Sequence, residues 1–381
     1  MSRHCGILFV ALAGLLASCA ARQSVAPVAA ARPSVEIEPK LTQEAPSRPR
    51  TIAPVPFTGG VYPVWYATNR VPIVSGDRVT GYSGLTDTGR VRYGKVFVEI
   101  PEDFLRQLRN PGWIDRILFK SVVDTLKVRT PIELSESFIL TEIRNGLAEF
   151  PPTDRSALIY LHGFKTSFED AAKRAAALGY QMKVPATAFF SWPSEGEIAG
   201  YVADNTSISA SEDQIAAFLI DFVRQSGATE VHVVAHSMGS YGLLRAMLRP
   251  VMSAAISEGI RFGQIILAAP DVDKRMFERD AAVLAKVARR VTLYASANDY
   301  ALKASMALAN YQRAGILPPP VDVPGIDVVD VGPVDLTFLG HSYVVEQIAV
   351  LEDMGKLIAY NAPPAKRSRI VPGAGKSWVL Q

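Results

Sequence analysis

The 381-residue chain has two cysteines, Cys5 and Cys19, both within its first nineteen positions. Beyond them no residue can close a disulfide, act as a thiolate nucleophile or bind a metal through sulfur. Stability downstream must therefore come from core burial. Histidine is nearly as scarce. His4, His162, His232, His236 and His341 are too few and too scattered to mark a metal site, and no cofactor motif accompanies them. No basic run is interleaved with aromatics, and a net charge of +3 is too small to argue for a nucleic-acid partner. The apolar run 7–16 is too short to span a bilayer as a permanent helix. What remains is 49% hydrophobic and 20% charged, ordinary for a globular protein. The length fits one large α/β domain with appendages.

The N-terminus reads as a secretory signal peptide: Arg3 and His4, the apolar run, then small Ala17 and Ser18 ahead of Cys19. Leu16-Ala17-Ser18-Cys19 resembles a bacterial lipobox, in which Cys19 would be acylated and become the mature N-terminus. The alternative is an ordinary signal peptide with an incidental cysteine. Ala20, not Asp, follows the cysteine; by resemblance to Gram-negative lipoproteins this implies the outer membrane, facing the periplasm, on a stable multi-chain anchor. The expected organisation is a signal peptide over 1–19, a Pro/Ala-rich tether over 20–56, a folded domain over 57–360 and a basic tail over 361–381. The tail, with Lys366, Arg367, Arg369 and Lys376, reads as a solvated disordered end rather than a specific anionic contact.

Strands are expected at 64–67, 91–100, 138–143, 157–161, 186–192, 230–235, 264–268, 291–296 and, as the last, 328–331. Segment 75–89 reads as loop or hairpin. Helical spacing covers 168–182, 209–225, 240–247, 275–287 and 344–358. This alternation implies a mostly parallel central sheet with helices on both faces. The nearly unbroken apolar runs 231–234 and 265–267 suit buried parallel strands.

The strongest chemical signal is Val233-Val234-Ala235-His236-Ser237-Met238-Gly239, an apolar strand entering small-x-Ser-x-Gly before a helix. This is the context of a nucleophile elbow, whose sharp turn needs small residues two before and two after the serine. Ala235 and Gly239 are both small. A serine hydroxyl needs a neighbouring base, and histidine has the matching pKa. His341 alone follows the serine in the order Ser, acid, His. Asp299, after the 291–296 strand, is favoured as the acid, with Asp271 and Asp273 as alternatives. The amides of Met238 and of Phe164, which Gly163 allows to turn inward, are candidates for an oxyanion hole. Segment 196–209 is a candidate rim of an acyl pocket.

Taken together, Tyr66-Ala67-Thr68-Asn69-Arg70, 161–168, 190–194, 235–239, Asn298-Asp299 and 339–343 resemble a mainly bacterial α/β-hydrolase family of unknown function over about residues 60–355. The resemblance implies the α/β-hydrolase fold and a lipase- or esterase-like hydrolase with Ser237, Asp299 and His341 as triad. The expected partners are a small acyl-ester or lipid substrate and, through Cys19, a membrane. An envelope acyltransferase with the same triad and a non-catalytic envelope-binding lipoprotein are the rival readings. The oligomeric state is left open. Arg70 is read as fastening a loop by a salt bridge, with a substrate carboxylate or phosphate as the alternative.

Overall fold

The computed structural model describes residues 60–88, 90–109, 122–196, 200–332 and 347–381. The strands are β1 (Gly60–Thr68), β2 (Arg70–Ser75), β3 (Arg78–Thr86), β4 (Arg92–Ile100), β5 (Lys127–Val128), β6 (Ile132–Leu134), β7 (Ser156–Leu161), β8 (Ala186–Ser191), β9 (Glu230–His236), β10 (Phe262–Ala268), β11 (Ala288–Ala295), β12 (Ile326–Asp330), β13 (Ile370–Pro372) and β14 (Ser377–Leu380). The helices are α1 (Phe104–Arg109), α2 (Glu136–Ala148), α3 (Phe168–Met182), α4 (Tyr201–Ala210), α5 (Glu212–Gln225), α6 (Met238–Met247), α7 (Pro250–Ser257), α8 (Lys274–Asp280), α9 (Ala282–Val287), α10 (Tyr300–Ala309) and α11 (Ile348–Tyr360).

One sheet runs β13-β14-β12-β11-β10-β9-β7-β8-β1-β4-β5, with β6 also beside β4. From β14 through β12 to β1 every neighbouring pair is parallel. β4, β5, β6 and β13 pair antiparallel at the margins. Every residue of β7, β8 and β10 is buried, because helices cover both faces and leave no solvent side for polar residues. Alternating side chains feed two cores: Val231, Val233 and Ala235 of β9 enter one, and Val234 enters the other.

Helix α3 shows how composition sets this packing. Ser167 caps it by accepting from Asp170 N, and Glu169 and Asp170 occupy the positive first turn. Ala171, Ala172, Ala175 and Ala176 are buried small residues that bring its axis close to the sheet. At Gly179 a Cβ would lie 1.9 Å from Thr187 Oγ1, so only glycine fits.

Several elements differ from expectation, among them the expected helix 275–287, which is two, α8 and α9. Residues 138–143 lie in helix α2, not a strand. The short apolar run conceals a longer period in which Ile139, Leu140, Ile143 and Leu147 form the buried stripe and Ser135 the cap. The expected helix 209–225 is two helices divided at Ser211, whose hydroxyl donates to Ser207 O (2.7 Å) and accepts from Asn69 Nδ2 (2.9 Å). Segment 75–89 contributes a hairpin arm, as one of its two expected readings had it, β3 pairing antiparallel with β2. The tail 361–381 is ordered and continues the sheet: β14 pairs parallel with β12, and β13 folds back on β14, so β12 is not the last strand. Ile370, Trp378 and Leu380 supply apolar contacts, and the added strands cover an edge that would otherwise expose unpaired backbone groups.

One of the expected basic tail residues is at the centre of that attachment. Arg367 donates to Asp353 Oδ2 (2.8 Å), which also accepts from Tyr294 OH (2.6 Å), and all three residues are buried. Removing one partner of a buried ion pair leaves the other uncompensated. Arg367→Ala is therefore expected to lower folding stability by about 3–5 kcal/mol in urea titration. A loss below about 1 kcal/mol would mean the pair does not hold the tail to the core.

Candidate active site

Ser237 joins β9 to α6 at φ 52° and ψ −123°, a left-handed conformation that a residue with a Cβ adopts only under strain. Its backbone is bound on both sides. The amide donates to Ala268 O (2.9 Å), and the carbonyl accepts from Asp271 N (3.1 Å) and Ser240 N (3.0 Å). Two glycines make room for the turn. A Cβ on Gly239 would stand 2.5 Å from the carbonyl oxygens of Leu161 and His162, and one on Gly163 would stand 2.7 Å from Ser237 Cβ. The loop after β7 is therefore pressed directly against the serine. Ala235, fully buried between Leu161 and Leu267, meets the same demand for small size.

Met238 opens α6, so its amide belongs to the first turn, whose N–H groups lack helical partners and which carries the positive end of the dipole. Phe164 follows Gly163 and packs edge-on against Tyr201 with ring centroids 5.3 Å apart. Its loop is tied at nearly every residue. His162 O accepts from Trp192 Nε1 (2.9 Å), and Gly163 O accepts from His162 Nδ1 (2.9 Å). Lys165, also at positive φ (55°), donates its amide to Asp204 Oδ2 (3.3 Å). Thr166 N donates to Ser194 Oγ (3.1 Å), and Thr166 O accepts from Arg70 Nη2 (2.8 Å).

Two buried charges organise these ties. Asp204, on α4, accepts from Ser194 Oγ (2.5 Å) and Glu195 N (2.8 Å) besides Lys165 N. Arg70 donates to Ser191 Oγ (2.8 Å), Ser194 O (3.0 Å), Ser83 O (3.1 Å) and Thr166 O. Burial pulls the Arg70 pKa down to about 9, still above neutrality, so the cation persists. Arg70 thus fastens loops through carbonyl and hydroxyl oxygens, not through the expected salt bridge. The sequence marked Arg70 but gave no signal for Asp204, because an aspartate inside a helix has no local pattern to set it apart.

His162 is fully buried and stacked on Trp192 at 4.8 Å. Because a carbonyl only accepts, its contact with Gly163 O assigns the proton to Nδ1. Burial first, and then the Arg70 charge, hold its pKa well below the ordinary value. His232 is also buried, and its Nδ1 accepts from Gln264 N (3.0 Å).

The aspartates separate clearly. Asp299 is fully buried after β11, two strands from β9 on the same carboxyl edge, and its Oδ1 accepts from Leu302 N (2.8 Å). Asp271 accepts from Ser305 Oγ (2.7 Å) and Tyr201 OH (3.0 Å), and pairs with Arg313 Nε at 3.1 Å. Asp273 caps α8 and pairs with Arg275 at 2.9 Å; hydrogen bonding to Arg275 holds its pKa below the ordinary value. His341 and Cys19 lie outside the described residues. The expected rim 196–209 is largely helix α4 from Tyr201 onward. A cleft of about 1090 Å³ lies elsewhere, between the β2–β3 turn and β4 and β6, lined by Arg78, Arg92, Tyr93 and Glu133.

A parallel sheet covered on both faces, with a strained serine between strand and helix at its carboxyl edge, defines an α/β hydrolase. Residues 141–359 match the family described as "Alpha/beta hydrolase of unknown function (DUF900)", and the chain belongs to it. No curated protein matches. Among solved structures, an uncharacterized Bacillus cereus protein is similar at 12% identity and a TM-score of 0.33, covering 54% of this chain. The chain spans 62% of that protein's length. A lipase-esterase related protein from Clostridium acetobutylicum shows 9% identity, a TM-score of 0.31 and coverage of 54% of this chain and 95% of the other. Carboxylesterase CesB (YbfK) from Bacillus subtilis shows 12% identity, a TM-score of 0.31 and coverage of 60% and 99%.

The depressed pKa of His162 carries a sign. Below about pH 6.5 the unfolded chain takes up a proton that the folded chain refuses, so stability falls as pH falls. This one group therefore makes the fold less stable at pH 5 than at pH 7. His162→Gln is expected to lessen that acid-induced loss in urea titrations. An unchanged loss would show that the ring protonates freely in the fold.

Proposed function

We propose that this hydrolase cleaves carboxylic esters through an acyl-enzyme on Ser237, with His341 as base and Asp299 orienting it. The observation that carries the reading is the strained Ser237 backbone locked beneath the β7 loop, which costs about 1–3 kcal/mol and has no evident purpose in folding. In this mechanism the Ser237 hydroxyl attacks the ester carbonyl and gives its proton to His341. The amides of Met238 and Phe164 take the oxyanion, each worth about 3–4 kcal/mol. The imidazolium returns the proton to the leaving alcohol, and a water, deprotonated by the same base, releases the acid. Asp299 is preferred to Asp271 because Asp271 is already held by Arg313, Tyr201 and Ser305.

Ser237→Ala is expected to abolish turnover of nitrophenyl esters and labelling by a fluorophosphonate. Asp299→Asn should lower kcat by about 10⁴-fold, while Asp271→Asn keeps most of it. Full turnover by Ser237→Ala would end the mechanism, and the reverse ranking of the two aspartates would reassign the acid.

The reading extends to an envelope enzyme anchored at Cys19 and facing the periplasm, supported by Leu16-Ala17-Ser18-Cys19 followed by Ala20. Metabolic labelling with a clickable fatty acid is expected to mark the wild-type chain and not Cys19→Ser. Equal labelling of both removes the anchor.

A further inference from the structure

Helix α10 presents a solvent face with no carboxylate on it. Tyr300, Ala304 and Leu308 follow a helical stripe, Tyr311 lies just past the left-handed cap Asn310, and all four are exposed. Leu308 is 72% exposed, Tyr300 58% and Tyr311 48%. Leu302 and Ser305 turn the opposite face inward, and Ser305 donates to Asp271. A cation accompanies each terminal ring: Lys303 Nζ lies 4.9 Å from the Tyr300 ring, and the Arg275 guanidinium, itself paired with Asp273, 3.9 Å from that of Tyr311. The helix begins at its cap Asp299, after β11, so its first turn, with Tyr300, lies at the carboxyl edge that also carries Ser237.

We propose that the α10 face docks on an anionic lipid surface, setting the active-site edge against ester substrates held in that surface. Aliphatic side chains flanked by tyrosines and basic groups match the layered chemistry of a bilayer interface, with apolar depth, amphipathic rings and cations at phosphate level. Among the described residues Lys303 has no carboxylate within ion-pairing distance, which leaves its charge for a lipid phosphate. A second copy of the chain fits less well. A ten-residue helix is about 15 Å long, and one stripe of it covers about 150 Å². A stable protein interface needs about 800 Å² from each partner. A lipid surface sets no such minimum. The substrate class rests on the hydrolase reading, whereas the docking stands without it.

The test is carbene footprinting of the full chain with vesicles of equal parts phosphatidylglycerol and phosphatidylcholine, and with phosphatidylcholine alone. The mixed vesicles are expected to mask Tyr300, Leu308 and Tyr311, while Leu248 and Val251, beyond the far end of α6, stay labelled. Lys303→Glu should weaken the masking by about fivefold or more, the worth of one basic group near an anionic surface. Leu308→Asp should abolish it and leave turnover of a soluble ester unchanged. No masking by the mixed vesicles overturns the proposal. So does masking that appears without lipid as protein concentration rises, which would make the face a contact between copies. Masking that persists in a chain with no ester turnover would sink the hydrolase reading and leave the docking intact.

Discussion

The backbone of Ser237 is held where a side chain is unwelcome, and its surroundings follow from that constraint. A left-handed residue between a strand and a helix relaxes unless its neighbours forbid it. Here the neighbours are backbone atoms: Ala268 O and the amides of Asp271 and Ser240 hold both sides of the turn. Close approach completes the lock. Leu161 and His162 press on Gly239, and Ser237 presses on Gly163, so adding one methyl group at either glycine would collide with something rigid.

The loop above the serine is fixed by charges that water cannot reach. Arg70 joins the β2–β3 hairpin to the loops after β7 and β8, and Asp204 joins those two loops to α4. Neither charge has a free choice of partner, because a buried ion without hydrogen bonds is very unfavourable. The result is a loop whose amides are set before any ligand arrives, the condition under which backbone dipoles stabilise developing charge most effectively. His162 belongs to this scaffold. Burial first, and then the Arg70 cation, hold its pKa well below the ordinary value, and its stacking on Trp192 and its bond to Gly163 O make it a structural ring.

Much of this architecture is legible locally. The strands β7, β8, β9 and β10 are short apolar runs bounded by polar residues, and α3 carries its own cap and a stripe of alanines. The elbow is legible because its geometry demands small residues at fixed positions, a demand written into consecutive letters. Helix α2 is hidden locally because Phe138-Ile139-Leu140 has β character within three residues, and only a wider window reveals the helical stripe. The order of the tail is not legible locally, because its basic, Pro- and Gly-containing composition resembles that of a disordered end. Its order comes from the open edge of β12 and from Asp353, both distant in sequence.

By itself, then, the sequence determined the alternation of strands and helices, the place of the sharp turn and the serine on it, because each depends on side-chain size and period along a continuous stretch. The tertiary structure decided which charges are buried, which aspartate is occupied by Arg313 and where the last residues attach. Those outcomes depend on desolvation and on partners brought together across 14 residues for Arg367 and Asp353 and 96 for Arg70 and Thr166. No local pattern encodes a hydrogen bond whose two ends meet only after the chain has folded.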